Sequence, residues 1–198
     1  MRIALVVEGK TEKAFLRYLR AFLEPRLTNR MPRLDAVPYD GLIPKENKLR
    51  KIVQNLLNDG ADAVIALTDV YTGQQRFEDA ADAKRKLREW VGNEPRFYAH
   101  AAQHEFEAWL LPFWPAVRRL SGSDRATPPG QPERVNHMNP PSKWISEAFQ
   151  TGGRREYNKV RDAQRILEGQ DLHVAIDACP ELKSLVNTIL RLCGGDPV

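Results

Sequence analysis

The segment RIALVVEGKTEKAFLRYL, residues 2–19, changes character after its first six residues. Residues 3–7 are all apolar and include β-branched side chains, a pattern typical of a strand buried on both faces of a parallel sheet. From Thr11, which is a predicted N-cap, apolar residues recur at helical spacing until Pro25. The segment therefore predicts a buried strand followed directly by an amphipathic helix.

The triplet Gly9-Lys10-Thr11 invites comparison with a phosphate-binding P-loop, but its surroundings do not match. A P-loop needs a glycine five positions before the Gly-Lys pair, with a flexible loop between them. That position is Ala4, and the intervening residues form the predicted strand. The triplet is therefore interpreted as a chance match.

The alternation of strand and helix continues beyond this segment. The predicted elements are a strand at 34–43 interrupted by Pro38, a helix at 46–58, a strand at 63–68, a helix at 77–91, a strand at 96–102, and a short helix in EFEAWLLPFW that its prolines stop. Such alternation predicts an α/β domain with a mostly parallel sheet flanked by helices.

The C-terminal part of the chain has a different composition. Residues 121–142 are rich in proline, glycine and polar side chains and are predicted to form a loop. Helices are predicted after it at about 142–150, 156–168 and 180–193. We therefore expect an α/β domain at 1–120, the proline-rich loop at 121–142, and a helical C-terminal extension at 143–198 packed on the same domain.

Composition narrows the function classes only modestly. The 198 residues carry a formal net charge of +4, which permits a nucleic-acid partner without requiring one. No window resembles a membrane span or a signal peptide, and the two cysteines lack metal-ligand spacing. A cytoplasmic protein with no membrane association is the expectation.

Acidic residues follow three of the predicted strands. Glu8 follows the first and Asp69 ends the strand at 63–68, while Glu105 and Glu107 follow the strand at 96–102. Glu12 is four residues beyond Glu8, so its side chain can point back toward the same edge. Carboxylates gathered at one edge of a sheet repel each other, and hard oxygen ligands favour Mg²⁺ or Mn²⁺. The sequence therefore predicts a metal site there.

Three motifs, VVEGKTEKAFL, ALTDVYTG and HEFEAWLL, together resemble those of small bacterial TOPRIM-like proteins related to the OLD (overcoming lysogenization defect) nucleases. The similarity extends through PPSKWI, REYNKVRDAQRI and CPELKSLV, and so covers nearly the whole chain. The resemblance implies a TOPRIM-like fold, a compact α/β unit with about four mostly parallel strands.

The same resemblance implies roles for individual residues. Glu8 would be a metal ligand or general acid/base, and Glu12 a second ligand, as in the OLD-like branch. Asp69 would be the first aspartate of an Asp-x-Asp motif, whose second aspartate is replaced here by Tyr71. A neutral phenol cannot replace a carboxylate at a divalent ion, so another ligand is needed.

Glu107 is the better replacement, because it matches the family's Glu-x-Trp pattern, and Glu105 is the next. OLD-like nucleases also carry a late lysine near the metals. Lys159 is the candidate here, with Lys143 behind it.

The resemblance implies Mg²⁺-dependent nuclease activity on DNA or RNA, often with a partner ATPase in phage defence or DNA handling. Lys10, Arg154, Arg155 and Lys143 are candidate nucleic-acid contacts, although a basic run at a helix start is equally typical of a solvated surface. A non-catalytic nucleic-acid-binding or ATPase-docking module is the alternative. A nucleotidyl transferase or primase-like enzyme would use the same metal site.

Overall fold

The sheet has four strands, all parallel, in the order β2-β1-β3-β4. A computed structural model describes residues 1–28, 30–39, 41–71, 77–135, 140–153 and 155–198. The strands are β1 (Arg2–Val7), β2 (Arg33–Pro38), β3 (Ala63–Asp69) and β4 (Phe97–Ala102). The predicted α/β class with a parallel sheet flanked by helices is confirmed.

Helices cover both faces of this sheet. They are α1 (Lys10–Leu23), α2 (Glu46–Asn58), α3 (Ala80–Val91), α4 (Trp114–Ser121), α5 (Pro141–Gly152), α6 (Lys159–Leu167), α7 (Leu172–Ala178) and α8 (Pro180–Leu192). Segments of 3-10 helix lie at Glu24–Arg26, Phe106–Phe113 and Pro132–Arg134. Within the described ranges, no helix combines the length and the apolar character that crossing a membrane requires.

Alternate side chains of the central strands enter two different cores. In β1, Ile3 and Leu5 pack into one core, whereas Ala4 and Val6 pack into the other. Both sets are withdrawn from solvent because α1 and the C-terminal helices cover one face and α2 and α3 cover the other. This double coverage explains why the sequence of β1 is apolar at every position instead of alternating.

The C-terminal helices contribute to the same core as the sheet. Ile145 and Phe149 of α5, Ile166 of α6 and Leu185 of α8 are fully buried in one cluster with Leu5 of β1. Because these side chains share one apolar cluster with the strand, α5 to α8 are held firmly against the face that α1 also covers.

Helix boundaries differ from the prediction at two places near prolines and caps. The first helix begins at Lys10 with Gly9 as its N-cap, not at Thr11, because the Glu12 carboxylate accepts the Gly9 amide hydrogen at 3.0 Å. The chain after Glu105 is not stopped by its prolines either. A 3-10 helix containing Pro112 leads into α4, where Pro115 is tolerated in the first turn since that position lacks an intrahelical acceptor.

Two further elements were predicted incompletely. β2 ends at Pro38 and does not continue as a strand to residue 43, although the Tyr39 amide still donates to the Val7 carbonyl at 2.9 Å. Pro38 is tolerated because β2 is an edge strand of the sheet. The seven-residue helix α7 was not predicted at all. It is too short for periodicity to reveal, and its buried Leu172 and Ile176 stabilise it through tertiary packing.

Candidate functional site

The strand register brings the predicted acidic residues to one edge of the sheet. Val7 pairs with Leu67, and Asp69 pairs with Ala102. Glu8, Asp69 and the segment after β4 therefore leave the sheet side by side at its carboxyl edge, where parallel α/β proteins form their sites.

Glu8 is held by groups from the end of β3. Its Oε1 accepts hydrogen bonds from the Thr68 hydroxyl and from the Asp69 amide, the latter at 3.3 Å. Glu8 is only 8% exposed and Thr68 only 2%. Its carboxylate is consequently oriented before any ligand arrives.

Glu12 lies in the first turn of α1 and turns back toward the same edge. Its Oε2 accepts the Gly9 amide hydrogen, which links the carboxylate to the turn that follows β1. Burial raises the pKa of Glu12, while backbone hydrogen bonds and the charge of Lys159 act in the opposite direction. A buried carboxylate of this kind favours a proton or a cation.

Asp69 has a pKa that is affected by all the other carboxylates of the cluster. Its Oδ1 accepts the Phe106 amide hydrogen at 2.9 Å. Burial raises the pKa of Asp69 well above its ordinary value, and the charges of Glu8, Glu12 and Glu107 raise it further. Asp69 therefore lies within electrostatic reach of three other carboxylates from different elements.

Glu107 and Lys159 form an ion pair at the border of the cluster. The Lys159 Nζ lies 3.1 Å from the Glu107 Oε1, and the Tyr157 hydroxyl donates to the same oxygen at 3.5 Å. Burial raises the pKa of Glu107, which is 1% exposed. Burial on its own would lower the pKa of Lys159, but the carboxylates of Glu107 and Glu105 raise it on balance.

Glu105 and Lys143 make other contacts. The Glu105 Oε2 accepts the Ser142 amide hydrogen at 2.9 Å, so this carboxylate caps the start of α5. Lys143 has its Nζ 4.0 Å from the Glu147 carboxylate on the outer side of the same helix. Neither residue is as closely tied to the cluster as Glu107 and Lys159 are.

The remaining basic candidates differ in their availability. Lys10 is exposed at the start of α1. Arg155 is engaged by Asp162, with 2.6 Å between Nη1 and Oδ2, and its guanidinium lies over the ring of Phe149. Arg154 lies outside the described residues.

Tyr71 and His100, two further residues near the site, both contact other side chains of the fold. Tyr71, which stands in place of the second aspartate, stacks on His104 with 5.5 Å between ring centroids. His100 faces α8, where its Nε2 is 3.1 Å from the Thr188 Oγ1, and burial lowers its pKa to about 3. A neutral, buried His100 contacting α8 has a packing role.

The donor set suits a hard divalent cation, although its present arrangement is not that of a finished metal site. All four carboxylates supply oxygen, and burial together with mutual repulsion raises the pKa of Asp69, an unfavourable interaction that a bound divalent cation would relieve. Within the ranges that the structure describes, however, no three or more acidic, histidine or cysteine side chains are arranged to hold a metal ion. Their hydrogen bonds to backbone and lysine would have to be exchanged for metal ligation.

The sequence places this chain in a defined family. Residues 7–190 match the family described as "Domain of unknown function (DUF4276)". The chain belongs to the DUF4276 family. No curated protein matches its sequence.

Solved structures show which fold this DUF4276 chain shares. It resembles the C-terminal region of the Burkholderia pseudomallei OLD protein with a TM-score of 0.55 and 14% identity, over 96% of this chain and 98% of that one. A C-terminal region of the Xanthomonas campestris pv. campestris OLD protein matches with a TM-score of 0.49 and 14% identity, over 97% and 95% of the two chains. The first likeness shows that the DUF4276 chain and that OLD region share a fold.

Two residues that contact the carboxylate cluster of this DUF4276 chain were not predicted from its sequence. Thr68 orients Glu8, and Tyr157 donates to Glu107. A signal for Thr68 exists, since a hydroxyl residue directly precedes Asp69 at the strand end. Tyr157 gives no comparable signal because its partner is 50 residues away in sequence.

Proposed function

We propose that this protein is a metal-dependent nuclease of the TOPRIM/OLD-like kind that cleaves nucleic-acid phosphodiesters with Mg²⁺ or Mn²⁺. The observation that carries the proposal is the convergence of four acidic side chains at the carboxyl edge of the sheet, where Glu8, Glu12 and Glu107 all raise the pKa of Asp69. Titratable groups perturbed by burial and by like charges cluster at functional sites more often than elsewhere.

Glu8, Glu12, Asp69 and Glu107 would hold the metal, with Glu105 as a further candidate ligand. A bound divalent ion supplies a Lewis acid that activates water and stabilises negative charge on a phosphate. Glu107 compensates for Tyr71, since it brings a buried carboxylate within reach of Asp69.

The chain's own residues orient these ligands and balance the charge. The Thr68 hydroxyl and the Asp69 amide hold the Glu8 carboxylate in one orientation. Lys159, whose side chain is 54% exposed, keeps its ammonium group against Glu107 and open to solvent. An ammonium group in that position can neutralise charge on a phosphate that approaches the carboxylates.

Calorimetric titration with Mn²⁺ and Mg²⁺, combined with nicking of supercoiled plasmid and cutting of single-stranded DNA and RNA, tests the proposal. We expect Glu8→Gln to lose metal binding and to reduce cleavage by about 100-fold or more, because an amide is a poor replacement for an oriented carboxylate ligand. Asp35→Asn is the matched control, since it makes the same acid-to-amide change at the opposite edge of the sheet. It should bind metal and cut as the unchanged protein does.

Equal cleavage by Glu8→Gln and the unchanged protein would contradict the proposal. If the protein binds metal but does not cleave, the cleavage assay is repeated with a partner protein. The ATPase that the family resemblance implies is the first partner to test. Circular dichroism of each variant establishes that a lost activity does not reflect a lost fold.

A non-catalytic module that binds nucleic acid or docks on an ATPase is the second candidate. It is favoured by Tyr71 in place of an aspartate and by the lack of a ready metal-binding group among the described side chains. The absence of binding at millimolar Mn²⁺ would favour this module, because docking has no need of the metal.

A further inference from the structure

A basic groove lies between α1 and α6 and is separate from the carboxylate cluster. Its volume is about 370 Å³. The lining includes Arg17 and Tyr18 from α1, and Arg161, Gln164 and Arg165 from α6. Tyr18 closes the base of the groove by donating its hydroxyl hydrogen to the Gln164 carbonyl at 2.7 Å.

The positive charge of this groove is poorly compensated. Arg17 and Arg165 are exposed, and neither forms an ion pair with any other residue in the described part of the chain. Arg161 pairs with Asp162 at 3.0 Å, and Glu168 is the acidic residue that lines the groove. Arg2, by contrast, is neutralised by Asp35.

The groove begins where the candidate site ends. Glu12 and Arg17 lie five residues apart on α1, which places them about 7.5 Å apart along the helix axis. Lys159 is the first residue of α6, and Arg165 follows about 9 Å along that axis. Both arginines therefore lie between one and two helical turns beyond the cluster along their helices.

We infer that the groove between α1 and α6 binds the phosphodiester backbone of the nucleic acid beside the cleaved bond. Guanidinium groups form paired hydrogen bonds to phosphate oxygens, and solvent-exposed arginines without carboxylate partners are available for such bonds. Because contacts between guanidinium groups and phosphates carry no information about the bases, binding through them is independent of sequence. The choice of ligand rests on the proposed nuclease function.

Fluorescence anisotropy of the full chain with labelled single-stranded and duplex DNA and RNA, in EDTA, measures this binding without cleavage. We expect the double variant Arg17→Ala/Arg165→Ala to weaken affinity about 10-fold in moderate salt. The slope of log affinity against log salt should become shallower by about 1.8 for duplex and about 1.4 for single strands, as two lost phosphate contacts require. The DNA and RNA samples identify which backbone is preferred.

Lys48→Ala/Lys51→Ala is the matched control. It removes the same two charges from exposed positions on α2, which packs on the opposite face of the sheet. This variant should retain the affinity and the salt slope of the unchanged protein. Arg17→Lys/Arg165→Lys should recover much of the affinity, because the charges return without the guanidinium geometry.

Metal titration of the same variants separates this inference from the proposed function. Unchanged Mn²⁺ binding with weakened nucleic-acid binding in Arg17→Ala/Arg165→Ala supports the groove. If this variant and the unchanged protein bind nucleic acid with equal affinity, the inference that the groove binds the backbone is overturned, even if the protein cuts DNA. Groove-dependent nucleic-acid binding by a protein that neither binds metal nor cuts supports the groove and contradicts the nuclease.

Discussion

The carboxyl edge of the sheet and the start of α6 both withdraw acidic side chains from water, but they balance the charge in opposite ways. At the start of α6, burial on its own would raise the pKa of Asp162, yet hydrogen bonds from Arg155 and Arg161 lower it to about 2. At the carboxyl edge, burial and three neighbouring carboxylates raise the pKa of Asp69.

The contrast separates a carboxylate that stabilises the fold from a cluster that needs a ligand. Asp162 also accepts the Asn158 amide hydrogen at 2.7 Å, so it completes the N-terminal cap of α6. The carboxyl edge has Lys159 as its nearby cation, set against four acidic groups. Destabilising electrostatics of this kind are retained where function requires them.

The largest effect on stability is expected from removing the charge of Asp162, which is paired with arginines at the start of α6. Asp162→Asn removes the charge that Arg155 and Arg161 contact while Asp162 is wholly buried. We expect the free energy of unfolding to fall by about 2 kcal/mol, less than for a wholly buried pair, because the side chains of Arg155 and Arg161 are partly exposed and regain water. Urea denaturation measures the change.

Asp177→Asn is the control for this prediction, because Asp177 is an exposed aspartate whose contacts are 3.8 Å to His173 and 4.0 Å to Lys183. It should change stability by about 0.5 kcal/mol or less. A similarly small loss in Asp162→Asn would contradict the view that its ion pairs hold the start of α6.

Acid should weaken the same interaction in a defined pH window. Because the folded pKa of Asp162 is about 2, lower than its unfolded value, the folded protein holds the charged form more strongly. Its contribution is fully present above about pH 4 and is lost as the pH falls toward 2, by about 2 kcal/mol in all. Urea denaturation at several pH values should show a steeper acid loss in the unchanged protein than in Asp162→Asn, and parallel curves would contradict the prediction.

The smallest expected effect has the opposite sign and comes from the carboxyl edge. Asp69→Asn keeps an oxygen to accept the Phe106 amide hydrogen but removes a charge that Glu8, Glu12 and Glu107 repel. In metal-free buffer we expect stability to rise by about 1 kcal/mol, because relieving an unfavourable charge commonly gains this much. Thermal unfolding in EDTA measures it.

Asp35→Asn sharpens this prediction at the amino edge of the sheet. The hydrogen bond from Arg2 lowers the pKa of Asp35, so its neutralisation should reduce stability slightly. If both variants shifted the melting temperature in the same direction, the view that charge destabilises the fold at Asp69 and stabilises it at Asp35 would be contradicted.

Local patterns were enough to predict most of the secondary structure. The apolar runs of β1 and β3 indicated buried parallel strands, and helical spacing placed α1, α2 and α8 within a few residues of their observed bounds. The helix α7 was missed, because tertiary packing stabilises it. The short helix predicted in EFEAWLLPFW was wrongly ended at its prolines, because a proline in the first turn of α4 does not interrupt that helix.

The sequence also predicted which acidic residues share an edge, although their metal-binding roles stay predictions. Parallel strands place their carboxyl ends on one side, so Glu8 and Asp69 had to be neighbours if β1 and β3 were adjacent. The availability of the basic residues was not predictable. Arg155 is occupied by Asp162, whereas Arg17 and Arg165, which the sequence did not single out, line an open groove.

By itself the sequence determined the α/β class, the buried parallel strands and the acidic character of the strand ends, because each depends on spacing along a few residues. Only the tertiary structure decided the strand order β2-β1-β3-β4, the pairing of Glu107 with Lys159, and the groove between α1 and α6. The physical reason is that those features join residues far apart in sequence, whose proximity depends on how the whole apolar core packs and leaves no mark in any local pattern.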